Sequence, residues 1–289
     1  MFRRLDGPVL VFGGAYSNLQ ALEEMLRICK ELKIPPERTI HTGDVVAYCG
    51  QPKETSELLR SSGVRCLMGN CEESVGVGKA DCGCGFPEDS ACNTYSLNWY
   101  AHVMEQLRDG EELRRWMASL PRLMRFEMAG RRFAVVHGSP LAISDFVWPS
   151  SSDEELKRRM EALDVDAVLC GHSGIPFCRL LDERLWLNAG VIGMPANDGT
   201  PRGWYAVLRM KGRDIEIEIE PLAYDSKGAA EAIFAHGNLV RGYGDSLQTG
   251  IWPSHESWRT SFQLKVKLRL RRCKCFEVNA SKLFQLKIE

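Results

Sequence analysis

The sequence predicts an α/β fold built on a parallel sheet. Three observations carry this. Apolar runs that end in glycine or asparagine turns alternate with segments of helical period through residues 9–70. That β-α-β-α-β order requires parallel neighbours joined by right-handed crossovers. Four polar residues, Asp44, Asn70, His137 and His172, each stand just after a predicted strand. Parallel strands bring their carboxyl ends to one edge, so the four can converge.

The elements follow in order. Val9–Phe12 is a short apolar run between Pro8 and Gly13-Gly14 and reads as a central strand. Leu19, Leu22, Met25, Leu26 and Cys29 recur at helical spacing, with Ser17 or Asn18 placed to cap, and Pro35-Pro36 ends that helix. Residues 38–42 form the next strand and run into Gly43-Asp44, where glycine permits a sharp turn. Residues 53–62 are helical, Gly63 stops them, and 64–68 form a third strand ending at Gly69-Asn70-Cys71-Glu72.

Residues 71–92 show neither period and are rich in glycine and cysteine, which reads as a long inserted loop. Helices resume over 95–107 and 111–119. Residues 123–127 and 132–137 read as a hairpin whose second strand ends at His137-Gly138-Ser139-Pro140. A charged helix over 153–163 precedes a buried strand, 167–170, ending at Gly171-His172-Ser173-Gly174. Strands 179–181 and 185–188 flank an Asp-Glu turn, 203–209 and 214–220 alternate like a half-buried edge pair, and 226–235 is a short helix. These elements place one domain at 1–235 and a tail at 236–289, whose segment KVKLRLRR is basic and precedes Cys273 and Cys275.

The bulk numbers bound the function. With 289 residues, a formal net charge of −1 and 44% hydrophobic residues, the chain is an ordinary globular protein with no charge signature for nucleic acid or membrane. No apolar run reaches about 18 residues. The N-terminal MFRRLDGPVL enters a strand without the apolar stretch of a signal peptide, so a cytoplasmic protein is expected. In that compartment the 11 cysteines are buried residues, thiols or metal ligands rather than a disulfide framework.

One carboxylate, one amide oxygen and two imidazoles make a donor set for Zn²⁺, Fe²⁺ or Mn²⁺. The order Gly43-Asp44, Gly69-Asn70, His137-Gly138 and Gly171-His172 resembles the calcineurin-like metallophosphoesterase superfamily, with the nearest likeness to its small bacterial phosphodiesterase-type members. Asn18 to Leu22, Val136 to Pro140 and Trp186 to Pro195 extend the likeness, which spans roughly residues 9–220. The resemblance implies a four-layer α/β/β/α sandwich with metals at the strand ends. It implies a phosphatase or phosphodiesterase that attacks a small phosphodiester, a nucleotide or a phosphoprotein with metal-bound hydroxide. The ions would be one or two of Mn, Fe, Zn or Ni. Asp44 would bridge two of them, and Asn70, His137 and His172 would complete the second site.

The first site departs from the family's pattern. Its Asp-x-His falls on Gly14-Ala15-Tyr16, its Gly-His-x-His ends at Gly174, and its Gly-Asn-His reads Gly69-Asn70-Cys71. Three readings follow. In one, a single ion suffices and Tyr16, Cys71 or His41 assists proton transfer. In another, Cys71, Cys82, Cys84 and Cys92, with Cys49 nearby, supply thiolates to zinc or an iron–sulfur centre, or Cys82 and Cys84 form a redox pair. In the third, the site binds a phosphorylated ligand or a partner in a regulatory role without hydrolysis. Arg179, Arg202 and Lys79 are candidate phosphate contacts, and Gly13-Gly14 before a helix is a candidate anion site. Trp99, Trp116, Trp148 and Trp186 read as packing residues.

Overall fold

The computed structural model describes residues 2–253 and the backbone of a strand at 267–270; Cys273, Cys275 and the rest of the tail lie outside the described residues. The strands are β1 (Arg3–Arg4), β2 (Val9–Phe12), β3 (Thr39–His41), β4 (Arg65–Cys66), β5 (Met124–Met128), β6 (Arg131–Val135), β7 (Ala167–Cys170), β8 (Phe177–Leu181), β9 (Arg184–Asn188), β10 (Gly203–Lys211), β11 (Asp214–Leu222) and β12 (Lys267–Leu270). The helices are α1 (Leu19–Glu31), α2 (Pro52–Ser61), α3 (Asn70–Val77), α4 (Ala91–Gln106), α5 (Glu111–Ser119), α6 (Asp153–Glu161), α7 (Ser226–Phe234) and α8 (Arg241–Thr249).

They build two six-stranded sheets, in the orders β12-β11-β10-β2-β3-β4 and β1-β5-β6-β7-β9-β8. In the first sheet β2, β3 and β4 are parallel, and β10 returns antiparallel beside β2. In the second, β6, β7 and β9 are parallel. The alternation of β2 shows why the sheets stack. Val9 and Val11 face the other sheet, where Phe133, Val135, Leu169 and Leu187 join them. Leu10 and Phe12 face outward and pack with Leu22 and Met25 of α1. On the far side, Leu156 and Met160 of α6 cover Val168 and Trp186. The result is a four-layer α/β/β/α sandwich, as the family resemblance implies.

Local signals explain the boundaries. Asn18 caps α1 by accepting from the Ala21 N–H at 3.0 Å. Ser152 caps α6 and exchanges bonds with Glu155 in a capping box.

Three differences from the sequence reading stand out. The segment 71–92 is not loop throughout, because it opens with α3, capped at its C-terminus by Gly78 in the left-handed region (φ 70°). Its apolar period is hidden because Gly76 lies where the helix meets α5; a Cβ there would stand 2.7 Å from the Ala118 nitrogen. Strands β10 and β11 are interior rather than an edge pair, since β2 and β12 flank them. Packed structure also runs past residue 235: α8 lies on α7 with Tyr243 and Leu247 buried, and β12 pairs antiparallel with β11.

Candidate metal centre

Each sheet delivers two polar residues to the same edge. Asp44 follows β3 and Asn70 follows β4; His137 follows β6 and His172 follows β7. All four are buried, with His172 the most exposed at 9%. His137 Nε2 is the hub. It lies 3.1 Å from Asp44 Oδ2, 3.1 Å from Asn70 Oδ1 and 3.2 Å from His172 Nδ1. His137 Nδ1 donates to the Thr42 carbonyl at 2.8 Å, which leaves Nε2 its lone pair in the neutral ring. Asn70 Nδ2 donates to the Cys82 carbonyl at 2.9 Å, which turns its oxygen toward the hub.

Four lone-pair donors therefore face one another. A single proton on Nε2 serves one neighbour only. Donors about 2.0–2.2 Å from a shared ion stand ~3.0–3.5 Å apart, the spacing seen here. The oxygen–imidazole set suits a divalent ion such as Zn²⁺, Fe²⁺ or Mn²⁺, so these residues fit a metal.

The charges agree with that fit. Burial works against the Asp44 carboxylate, yet the facing His137 outweighs it and lowers its pKa to about 2. Burial likewise opposes the His137 imidazolium, and the Asp44 charge still raises its pKa above the usual histidine value. The pocket favours a positive charge at its centre. His172, lowered to about 3 by burial and then by His137, stays a neutral ligand.

Close backbone approach builds the cluster. Asp44 and His172 themselves sit in the left-handed region, with φ of 65° and 58°. At Gly43 (φ 102°) a Cβ would lie 2.7 Å from His137 Nδ1, and at Gly69 it would lie 2.2 Å from Asp44 Oδ1. Glu72 secures this turn. Its buried carboxylate accepts from the backbone N–H of Asp44 (2.8 Å), Val45 (2.6 Å) and Gly69 (2.7 Å). Burial and the neighbouring Asp44 charge push the Glu72 carboxyl up to about 7, against the pull of these N–H donors. Asn188 braces the other side, donating to the Gly171 carbonyl at 2.9 Å while accepting from the Gly190 N–H at 2.9 Å. Sequence reasoning missed Glu72 and Thr42. The one available signal was the place of Glu72 in the first turn of α3, where a glutamate reaches back to the N-cap N–H.

Two loops cover the centre. Cys82 and Cys84 are joined by a disulfide, which agrees with the pairing considered for them and not with their serving as thiolate ligands. The Gly83 carbonyl between them accepts from Ser144 Oγ at 2.5 Å. Phe146 lays its ring 4.3 Å from that of His172 and stacks on Trp148.

Residues 10–213 match the calcineurin-like phosphoesterase superfamily domain. The chain belongs to this superfamily. A protein of Methanocaldococcus jannaschii with no assigned function is 26% identical over 242 residues, covering 78% of this chain and 91% of that one. The fold matches a metallophosphoesterase from Sphaerobacter thermophilus with a TM-score of 0.65 and 20% identity, covering 84% of this chain and 99% of the other. It also matches a hypothetical protein from Pyrococcus horikoshii with a TM-score of 0.67 and 20% identity, covering 84% and 98%. The family is one of metal-dependent phosphoester hydrolases.

The positions to which the resemblance assigns the first-site ligands, Gly14, Tyr16 and Gly174, lie together in the structure. A Cβ on Gly14 would lie 2.4–2.8 Å from atoms of the Tyr16 ring, and one on Gly174 would lie 3.9 Å from its hydroxyl. The Tyr16 ring fills the ground between the two vacated ligand positions. It is buried and packs edge-on against Tyr48 at 4.8 Å. Burial, then Asp44, keeps its phenol protonated well above the ordinary tyrosine range. The candidate anion site at Gly13-Gly14 is corrected here, because that edge is occupied by this side chain.

The remaining candidates sort by position. Cys71 is buried beside the centre; its backbone N–H donates to Asp44 Oδ1 at 3.2 Å, and burial followed by Asp44 keeps its thiol protonated. Of the four cysteines considered as thiolate ligands, Cys82 and Cys84 spend their sulfurs on each other. Cys92 lines a separate aromatic cleft with Tyr48, Tyr95, Tyr243 and Trp252. Cys49 contacts the Gly193 carbonyl at 3.6 Å. His41 is packed against Phe12, and burial lowers its pKa to about 3. Arg179 bonds the Pro149 and Ser151 carbonyls and Asp153, Arg202 pairs with Asp198, and Lys79 pairs with Glu73. These three cations brace loops and helices. Trp99 and Trp186 are fully buried, as read from the sequence.

Proposed function

We propose that this chain hydrolyses a phosphoester with one divalent ion held by Asp44, Asn70, His137 and His172. The observation that supports the reading is the convergence of four lone-pair donors on one point, with Tyr16 filling the neighbouring position. Such an ion supplies Lewis acidity toward a phosphoryl oxygen and makes water more acidic.

The chain's own groups do the rest. Thr42 holds the His137 ring in the tautomer that offers Nε2. Glu72 fixes the backbone that carries Asp44. Tyr16 and Cys71 both keep their protons, so they act as hydrogen-bond donors or proton carriers rather than as nucleophiles. The substrate is a small phosphorylated molecule or a phosphoprotein, and Mn²⁺, Fe²⁺, Zn²⁺ and Ni²⁺ are the ions to try.

A second reading has its own support. The donors are buried under two loops, which suits a protein that binds a metal or a phosphorylated ligand in a regulatory role. One experiment separates them. Bis-p-nitrophenyl phosphate is incubated with the chain and each ion, beside His172→Ala. Turnover that drops to the buffer rate in His172→Ala supports the hydrolase. Ion binding without turnover supports the regulatory reading, and no ion binding at all overturns the hydrolase and the metal-binding form of the regulatory reading.

A further inference from the structure

We propose that the Cys82–Cys84 disulfide is a reversible thiol–disulfide site that sets the metal affinity of the neighbouring donors through Asn70. The inference rests on the single-ion reading above and adds a redox control to it.

The argument starts at the Asn70 amide, which has two chemically distinct ends. Its Nδ2 donates to the Cys82 carbonyl at 2.9 Å, and its Oδ1 faces His137 Nε2 at 3.1 Å. A carbonyl accepts and cannot donate, so the Cys82 oxygen decides which end of the amide faces the ion. It is the outer partner of a candidate metal ligand, and such partners orient the ligand they touch.

The position of that carbonyl depends on the disulfide. Residues 79–90 lie between α3 and α4 without a regular element of their own. The bond between Cys82 and Cys84 closes a small ring around Gly83, which takes the left-handed region (φ 62°). The ring is moored at both faces: the Gly83 N–H donates to Asp81 Oδ1 at 2.8 Å, and its carbonyl accepts from Ser144. Cys84 Sγ rests 3.5 Å from the same Asn70 Nδ2, and the Cys71 thiol sits 3.6 Å from it on the other side. Two sulfurs and the Cys82 carbonyl thus meet one end of the ligand amide.

The chemistry is two-electron exchange with a dithiol, small or protein-borne. One of its thiolates attacks a sulfur of the Cys82–Cys84 bond and forms a mixed disulfide, releasing the other cysteine. Its second thiol displaces the remaining cysteine. One S–S bond breaks in the chain and one forms in the reductant, and two protons pass to Cys82 and Cys84. Cys82 and Cys84 are themselves buried, but Asp81 and Gly85 beside them are exposed, so the reductant reaches the pair by displacing this loop and not by parting the sheets. Once the ring opens, the Cys82 carbonyl loses its anchor and Asn70 its fixed orientation. Loss of such an outer partner weakens metal binding by about 10–100-fold.

The test is Mn²⁺ affinity of the full chain, measured by equilibrium dialysis in the oxidised form and after reduction with an immobilised dithiol. Mn²⁺ is the probe because it prefers oxygen and imidazole, so freed thiols do not bind it in compensation. Alkylation and mass spectrometry report the state of Cys82 and Cys84 in each sample. The expected result is 10–100-fold weaker binding in the reduced chain, restored on reoxidation. A Cys82→Ser/Cys84→Ser chain is expected at the weak value under both conditions. Equal affinity in the two forms, tighter binding on reduction, or free thiols at both positions in the oxidised sample overturns the proposal while leaving the single-ion reading intact. Mn²⁺ binding to neither form overturns that reading, and the redox control falls with it.

Discussion

Glu72 holds the candidate metal edge in place without being one of its four donors. Its carboxylate gathers three backbone N–H groups in a fully buried place. Glu72→Gln keeps the shape but turns an NH₂ toward one or more of those donors. Measured at a pH above the Glu72 pKa of about 7, it is expected to lower stability by about 2–3 kcal/mol, because hydrogen bonds to a charged group are lost and buried donors are left unpaired; urea unfolding measures this. Asp145 makes a second case, in which pH sets the sign. Burial raises its carboxyl pKa, but Arg159 at 2.8 and 3.2 Å, with Ser139, outweighs burial and holds it below the usual carboxylate range. A folded pKa below the unfolded one stabilises fully above the unfolded value and fades as pH falls through the folded value. Asp145→Asn is therefore expected to melt earlier than the parent near neutral pH, and the two melting curves should converge in acid below the carboxylate range. The four candidate ligands were legible in the sequence because each follows a strand at a glycine turn or bears a side chain that only a few roles explain. Glu72 and Thr42 were not, since their partners or their acting atoms belong to the backbone and carry no letter. The Tyr16 ring was legible as a lost ligand but not as the group that fills the gap.

Among the elements, α3 shows how packing hides a helix from its own sequence. It holds Gly76 in its interior, and the glycine permits close approach to α5 at Ala118. Glycine costs a helix about 1 kcal/mol relative to alanine, so propensity alone favours replacing it. The contact reverses that sign. Gly76→Val is expected to lower stability by about 1–3 kcal/mol through overpacking, visible as a lower urea midpoint; an increase would show that the two helices separate freely. The helices α1, α2 and α6 were readable because caps, prolines and apolar spacing agree. The hairpin β10–β11 was readable as strands but not as interior ones, because the alternation of its side chains reports on the faces of a sheet and not on its edges.

At the scale of the molecule, the four layers were expected from the family resemblance, while the docking of α8 onto α7 was not, since nothing in residues 236–253 resembles the family's pattern. The filled neighbouring site gives a prediction at this scale. Gly14→Asp, Tyr16→His and Gly174→His together remove the ring and return the family's ligand types. The left-handed backbone at Gly174 (φ 70°) adds strain of about 1–2 kcal/mol for a histidine. Metal content by mass spectrometry is expected to rise from one ion per chain to two; a count that stays at one would show that the ring is not what excludes the second ion. The even division of the candidate donors between the sheets has a consequence of its own. Asp44 and Asn70 hang from one sheet, His137 and His172 from the other. An ion held by all four rivets the sandwich across its seam, and the layers cannot part without expelling it. Occupancy then enters the folding equilibrium directly: a free ion at a hundred times its dissociation constant adds about 2.7 kcal/mol. On the single-ion reading, the melting temperature of this chain becomes a gauge of the metal around it.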